Sequence, residues 1–107
     1  MELTQGPFTS ADWLVTKGNE QTFMEQWESL ARISLESPGA RWFFLIRDVA
    51  EPRHFVSFGQ WDDFGSITTA RSWPRFLDQF RRCQALCDES RGGDYEVAVA
   101  APSPEPG

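Results

Sequence analysis

The spacing of apolar residues changes along the chain between a period of two and a period near 3.6, and this change predicts the elements. Residues 12–17 alternate as a strand does, and the apolar positions after Gly18 recur at helical spacing as far as Leu35. Two further strands are predicted over residues 41–48 and 54–61, joined by a turn. The first half of the chain therefore reads β-α-β-β.

The pattern returns to helical spacing after the third strand. A helix is predicted to begin at Asp62 or Asp63 and to be interrupted near Ser72. Pro74 restarts it, because proline is tolerated in the first turn of a helix. The spacing predicts that this restarted helix reaches Ser90.

The remaining pattern completes the predicted fold. Gly92 and Gly93 are expected to end the helix, and residues 95–101 alternate as a fourth strand. The order β-α-β-β-α-β predicts an α+β, ferredoxin-like fold with a four-stranded antiparallel sheet and two helices on one face. The apolar run from Trp42 to Ile46 is unbroken, which indicates that both faces of its strand are covered. Since two helices cover only one face, the pattern predicts a homodimer in which two sheets pack together.

The chain length sets the domain count. With 107 residues, one domain is the natural expectation. We expect an N-terminal arm over residues 1–11, the folded domain over residues 12–101, and a disordered proline-rich tail over residues 102–107.

Charge and hydropathy indicate which kinds of binding partner are disfavoured. The formal net charge is −6 and no basic stripe reverses it locally, so nucleic acid and anionic membranes are disfavoured. No segment approaches the roughly 20 apolar residues that span a bilayer. The N-terminus carries no secretory pattern, so the cytoplasm is the expected location.

The two cysteines could be functional or structural. Cys83 and Cys87 are four residues apart, which would place them on one face of the predicted helix as a redox pair or half of a metal site. A metal would need further ligands, and His54 is the only histidine. The expected role is therefore that of two small buried side chains.

Three segments carry a family resemblance: WLVTKGNEQTFMEQWESLA, SPGARWFFLIRDVAEPRHFVSFGQWDDFGSI and SWPRF. Together they resemble the antibiotic biosynthesis monooxygenase superfamily. The resemblance implies a dimeric α+β barrel with a ligand pocket between helices and sheet in each subunit. Some members are cofactor-independent oxygenases of aromatic polyketide precursors, some degrade haem, and others handle quinones or signalling molecules.

For a cofactor-independent oxygenase, the expected substrate is a planar phenol or anthrone whose carbanion gives an electron directly to oxygen, and no cofactor is expected. Trp61 matches the family's tryptophan and could stack on such a ring, while Trp27 and Trp73 could form further walls. His54 is the natural base by its residue type. An arginine could hold a phenolate, and the candidates are Arg41, Arg47 and Arg71.

Each candidate also has a structural interpretation. Trp27 lies in the middle of the apolar stripe and fits a core position, and His54 lies beside a turn and fits the surface. The arginines could pair with the many acidic residues.

Two other functions are open to the family. Haem-degrading relatives use a histidine on the second helix and an asparagine on the first strand, and the segments predicted here for those elements contain neither. Haem degradation is therefore disfavoured. A non-catalytic or stress-related dimer that binds a small molecule remains open, because an apolar aromatic pocket suits both binding and catalysis.

Overall fold

The fold is one antiparallel sheet with three helices packed on one face. The computed structural model describes residues 6–102. The elements in chain order are β1 (Phe8–Val15), α1 (Glu20–Leu35), β2 (Ala40–Arg47), β3 (His54–Trp61), α2 (Phe64–Arg71), α3 (Pro74–Ala85) and β4 (Cys87–Tyr95). The sheet order is β2-β3-β1-β4, and every neighbouring pair is antiparallel. The predicted ferredoxin-like fold class is confirmed.

The main core lies between the sheet and the helices α1 and α3. Trp13 of β1 and Phe55 of β3 are paired neighbours on one face of the sheet, and both are buried. Phe23 of α1 packs on both, with ring centroids 5.3 Å from Trp13 and 5.2 Å from Phe55. Tilted aromatic pairs at this separation are favourable beyond the area that they bury. The core therefore fixes α1 against the two central strands.

The second helical region forms two helices instead of one interrupted helix. α2 begins after Asp63, whose carboxylate accepts the backbone N–H of Ser66 at 2.8 Å, as an N-cap residue should. α3 begins with Pro74 in its first turn, as the sequence predicts. No helix within residues 6–102 has the length and apolar character required to cross a membrane.

The first strand is longer than the sequence pattern predicts. It begins at Phe8 and not at residue 12, so residues 8–11 belong to the sheet and not to an arm. Thr9 and Ser10 are polar, so the apolar pattern does not predict that they belong to a strand. β1 is nevertheless a central strand that pairs with β3 on one side and β4 on the other. Backbone pairing on both edges holds these polar residues in the sheet.

The prediction of the fourth strand is wrong. β4 spans Cys87–Tyr95, while the helix before it ends at Ala85 instead of Ser90. The segment 96–102 lies outside every helix and strand. β4 is a polar edge strand, CDESRGGDY, and among the described strands it pairs with β1 alone, so backbone hydrogen bonds and not side-chain alternation specify it. Gly92 and Gly93 pair with Ala11 and Ser10 within the sheet and do not end a helix.

The sheet face opposite the helices, here called the open face, carries a group of touching aromatic rings. Trp42 lies 5.5 Å from Phe8, 5.3 Å from Phe44 and 5.9 Å from Phe58 between ring centroids. Phe44 is 43% exposed and Ile46 is 52% exposed in the single chain. Large apolar side chains grouped on an exposed surface are typical of an interaction site.

Candidate ligand-binding cavity

Small residues on the central strands leave an empty space between the sheet and the helices. Ala11 of β1 pairs with Ser57 of β3 on one side and with Gly92 of β4 on the other. In the neighbouring row, Thr9 pairs with Gly59. Because these side chains are short, the helices cannot close onto the sheet at this point. A cavity of about 490 Å³ results.

The walls of this cavity are mainly aromatic and aliphatic. They come from all three helices and from the strands around the small-residue floor. The large apolar wall residues are Trp13, Trp27, Leu30, Phe43, Phe58, Trp61, Ile67, Phe76, Leu77 and Phe80. Ligand sites for small molecules typically have about 300–1,000 Å³ and mostly apolar linings, and this cavity meets both criteria.

Trp61 is held in the cavity wall by a glycine on its own strand. A Cβ atom at Gly59 would overlap Cδ1 of Phe43, so only glycine lets the Phe43 ring lie across the strand. Phe43 then packs edge-on against Trp61, with 5.3 Å between ring centroids and an interplanar angle of 77°. The order of small and large residues in β3 thus sets the position of the indole.

Two hydroxyl groups on the floor accept hydrogen bonds from tryptophan rings. The Trp13 indole N–H donates to Oγ of Ser57 at 2.9 Å. The Trp61 indole N–H donates to Oγ1 of Thr9 at 3.1 Å. A buried indole N–H requires an acceptor, and these serine and threonine side chains supply one for each ring.

One ion pair lies at the rim. Arg71 at the end of α2 donates to Asp94 of β4 through both terminal nitrogens, with an Nη1–Oδ2 distance of 2.8 Å. These are the only ionisable side chains among the described wall residues. Leu77 and Gln84 of α3 and Gly92 of β4 are the other exposed wall residues, so the cavity opens between α3 and the β4 edge of the sheet.

The structure brings together three of the seven candidate site residues proposed from sequence, and Arg41 and Arg47 are not part of the cavity wall. Trp27, Trp61 and Arg71 line the cavity. Trp73 is the residue before α3 and is not part of the wall. His54 lies on the open face of the sheet, away from the cavity.

His54 is held between two carboxylates. Its Nε2 lies 2.8 Å from Oδ1 of Asp12, and its Nδ1 lies 3.1 Å from Oδ2 of Asp48. These hydrogen bonds, first that to Asp12 and then that to Asp48, raise the pKa of His54 above its ordinary value. The same contact lowers the pKa of Asp48, with help from the backbone N–H groups of Ala50 and Glu51. The arrangement indicates a structural ion pair on the sheet surface.

The His54 cluster predicts a pH-dependent stability. Folding favours the protonated imidazole, so its contribution is fully present below the unfolded pKa of about 6.5 and is lost as pH rises through the higher folded pKa. We expect the melting temperature of the wild type to fall, relative to that of His54→Gln, as pH rises above about 6.5. Thermal denaturation of both proteins from about pH 5 to about pH 9 measures this difference. Parallel curves for the two proteins would contradict the assignment.

The two cysteines are packed as small apolar side chains. Cys83 is buried in the main core, and Cys87 begins β4 and packs beside it. They therefore do not share one helix face. Burial raises the pKa of the Cys83 thiol to about 12 and that of Cys87 to about 11, which disfavours the reactive thiolate. Within residues 6–102, no group of three or more His, Cys, Asp or Glu side chains could hold a metal ion.

The residues of the cavity floor are absent from the sites predicted by sequence. One signal for them is present in β3, where alternation places Phe55, Ser57, Gly59 and Trp61 on the same face. Two small residues between two buried aromatic residues indicate a gap beneath the helices. Gly92 carries no such signal, because its segment is predicted as the end of a helix.

Several solved structures share the fold of this chain, although their sequences are less than 25% identical to it. The cofactor-independent oxygenase SnoaB from Streptomyces nogalater, in a mutant form, matches with a TM-score of 0.87 and 20% identity, covering 94% of this chain and 100% of that one. A conserved protein from Methanosarcina mazei Go1 matches with a TM-score of 0.76 and 21% identity, covering 83% and 89%. A putative antibiotic biosynthesis monooxygenase from Deinococcus radiodurans matches with a TM-score of 0.77 and 16% identity, covering 88% and 94%.

Sequence comparison identifies the family. Among curated proteins, no sequence matches the chain. The family model for antibiotic biosynthesis monooxygenase matches residues 10–85, which include most of β1, all elements from α1 to α3, and both central strands of the cavity floor. The chain therefore belongs to the antibiotic biosynthesis monooxygenase family.

Proposed function

We propose that this protein is a cofactor-independent oxygenase that binds a planar aromatic small molecule in the cavity beneath its helices. The observation that carries the proposal is the cavity itself, an aromatic enclosure over a floor of small residues. Its width comes from Ala11, Ser57 and Gly92, and its flat walls come from Trp27 and Trp61. A flat, electron-rich ring system suits such a space.

The reaction proposed needs no external reductant. A substrate carbon loses a proton, and the resulting carbanion transfers one electron to dioxygen. The radical pair recombines as a hydroperoxide, which eliminates water, so CH₂ and O₂ become C=O and H₂O. An apolar enclosure favours these steps because it excludes water from the reacting anion and keeps the ring in place.

The proton can leave by two routes. Asp94 is the only carboxylate on the described wall, and its contact with Arg71 fixes it beside the opening. Water at the opening is the other acceptor. Since His54 lies on the open face, the proposal gives it no part in this transfer.

Oxygen uptake by the purified protein tests the proposal. A panel of anthrones, each with the CH₂ group that the reaction requires, should be oxidised faster than without protein. Trp61→Phe removes the indole N–H and part of the wall but keeps an aromatic ring, so the rate should fall by about tenfold or more, which corresponds to about 1.4 kcal/mol of lost transition-state stabilisation. Trp42→Phe makes the same change on the open face and should keep the wild-type rate.

A second function is favoured by one specific observation. The only ionisable groups on the described wall, Arg71 and Asp94, are already paired with each other. A wall without an uncommitted acid or base also suits a protein that binds its ligand and does not transform it. Rates equal to the protein-free rates across the whole panel, together with ligand binding, would replace the oxygenase proposal by this one.

The proposed assembly is a homodimer that joins two open faces. The support is the group of touching aromatic rings around Trp42 and the exposure of Phe44 and Ile46. A two-fold dimer would bury the same surface on each subunit. Static light scattering should therefore give about twice the chain mass of 12.2 kDa.

A further inference from the structure

The ion pair between Arg71 and Asp94, here called the rim ion pair, connects a helix to the edge of the sheet at the cavity mouth. Arg71 is the last residue of α2, and Asp94 lies one residue before the end of β4. Both terminal nitrogens of the guanidinium donate to the carboxylate, one to each oxygen. Within residues 6–102, no other hydrogen bond or ion pair joins α2 to β4. These two side chains are therefore the polar link across this end of the mouth.

The rim ion pair lies at the end of the cavity that holds Trp61. Asp94 is paired with Thr9 in the sheet, and Oγ1 of Thr9 accepts the Trp61 indole N–H. On the helix side, Ala70 of α2 belongs to the same buried cluster as Trp61. Gly92, the neighbour of Asp94 on the same face of β4, has no side chain, so the carboxylate of Asp94 is what narrows the gap between this part of the strand and α2.

The rim ion pair is accessible to water and is therefore easily broken. The exposed fraction of the side chain is 44% for Arg71 and 36% for Asp94. Exposed ion pairs favour the paired state by a small factor, and the two parallel hydrogen bonds place this pair near the upper end of the range, at about 2–5-fold. The pair is then broken for about one sixth to one third of the time. Exposed side chains exchange between such states within nanoseconds, which is fast compared with the entry of a ligand.

We propose that the rim ion pair is a gate, so that a planar aromatic molecule enters and leaves the cavity only while the side chains of Arg71 and Asp94 are apart. The inference rests on the proposed function for the place where the ligand binds, and it adds how access to that place is controlled. A ligand with equal affinity for the open and closed states shifts no equilibrium between them. Removing the ion pair should therefore raise the rates of entry and exit by the same factor and leave the dissociation constant unchanged.

Stopped-flow fluorescence with acridone and the purified protein measures both rates. Acridone is an uncharged, fluorescent three-ring molecule with N–H in place of the reacting CH₂ of an anthrone, so neither electrostatic steering nor turnover alters the result. Arg71→Met and Asp94→Asn should each raise the association and dissociation rate constants by about 3–6-fold, because fast gating makes both proportional to the open fraction. The double variant should be no faster than the faster single variant, since either change breaks the same pair.

Arg32→Met is the matched control, because it removes another exposed ion pair, that of Arg32 with Glu28 on α1, away from the cavity. It should keep the wild-type rates. Wild-type rates in both single variants, additive effects in the double variant, or a rise in the dissociation rate constant alone would overturn the gate and leave the cavity as the binding site. No binding of acridone by the wild type would overturn both. If the gate is confirmed but no anthrone consumes oxygen, the gate stands and the oxygenase proposal fails.

Discussion

Replacing Ala11 with leucine is expected to weaken ligand binding strongly while the protein remains folded. The Ala11 side chain lies in the middle of the cavity floor, between Ser57 and Gly92. A leucine there occupies the space needed by a ring. If the ligand must displace it, the cost is that of overpacking, about 1–3 kcal/mol, which weakens binding by about 5-fold to 150-fold. Because the added carbons fill an empty space, the free energy of unfolding should stay unchanged or rise by about 0.5–2 kcal/mol.

Calorimetric titration with anthraquinone-2-sulfonate and thermal denaturation measure the two parts of this result. Ala85→Leu is the matched control, since it adds the same atoms at an exposed position at the end of α3, away from the cavity. It should bind like the wild type. Unchanged binding by Ala11→Leu would show that the ligand occupies another place on the protein.

The second large effect is expected on the open face. Phe44 touches Trp42 and Phe58 and is 43% exposed in the single chain. In a dimer through this face, Phe44→Glu would bury a carboxylate twice, once from each subunit, at an effective cost of several kcal/mol per ion. Light scattering at micromolar concentration should then give the monomer mass of 12.2 kDa.

Val49→Glu provides the control for the added charge. Val49 is fully exposed in the loop after β2, so the same change there should leave the dimer intact. A dimer that persists in Phe44→Glu would exclude the open face as the interface. A wild type that is monomeric at the same concentration would exclude the assembly itself.

The sequence predicts the elements that carry many large apolar side chains. The predicted bounds of the helix α1 and the strands β2 and β3 are close to the observed ones, because apolar side chains on these elements report which face is covered. The prediction misplaces β4 because its residues are polar and its position depends on backbone pairing with β1. The alternating segment after Tyr95 has the composition of a strand but pairs with none of the described residues.

The residues of the candidate site also divide into those that the sequence reveals and those that only the structure reveals. Trp61 and Trp27 can be proposed because large aromatic residues are visible in a sequence, and both line the cavity. Ala11 cannot, because its importance comes from the space that it leaves empty, and Ser57 is indicated only by its place between large aromatic residues on one face of β3. His54 is a candidate from its chemistry alone, and the strand register decides on which face of the sheet it lies. A residue type indicates possible chemistry, whereas register determines which residues meet.

The most direct test of the cavity as the functional site is a crystal structure of the protein with anthraquinone-2-sulfonate bound. We expect density for the ring system inside the cavity, between Trp27 and Trp61. Density for the ligand only on the open face, with the space above Ala11 and Gly92 left empty, would contradict the assignment of the cavity as the site.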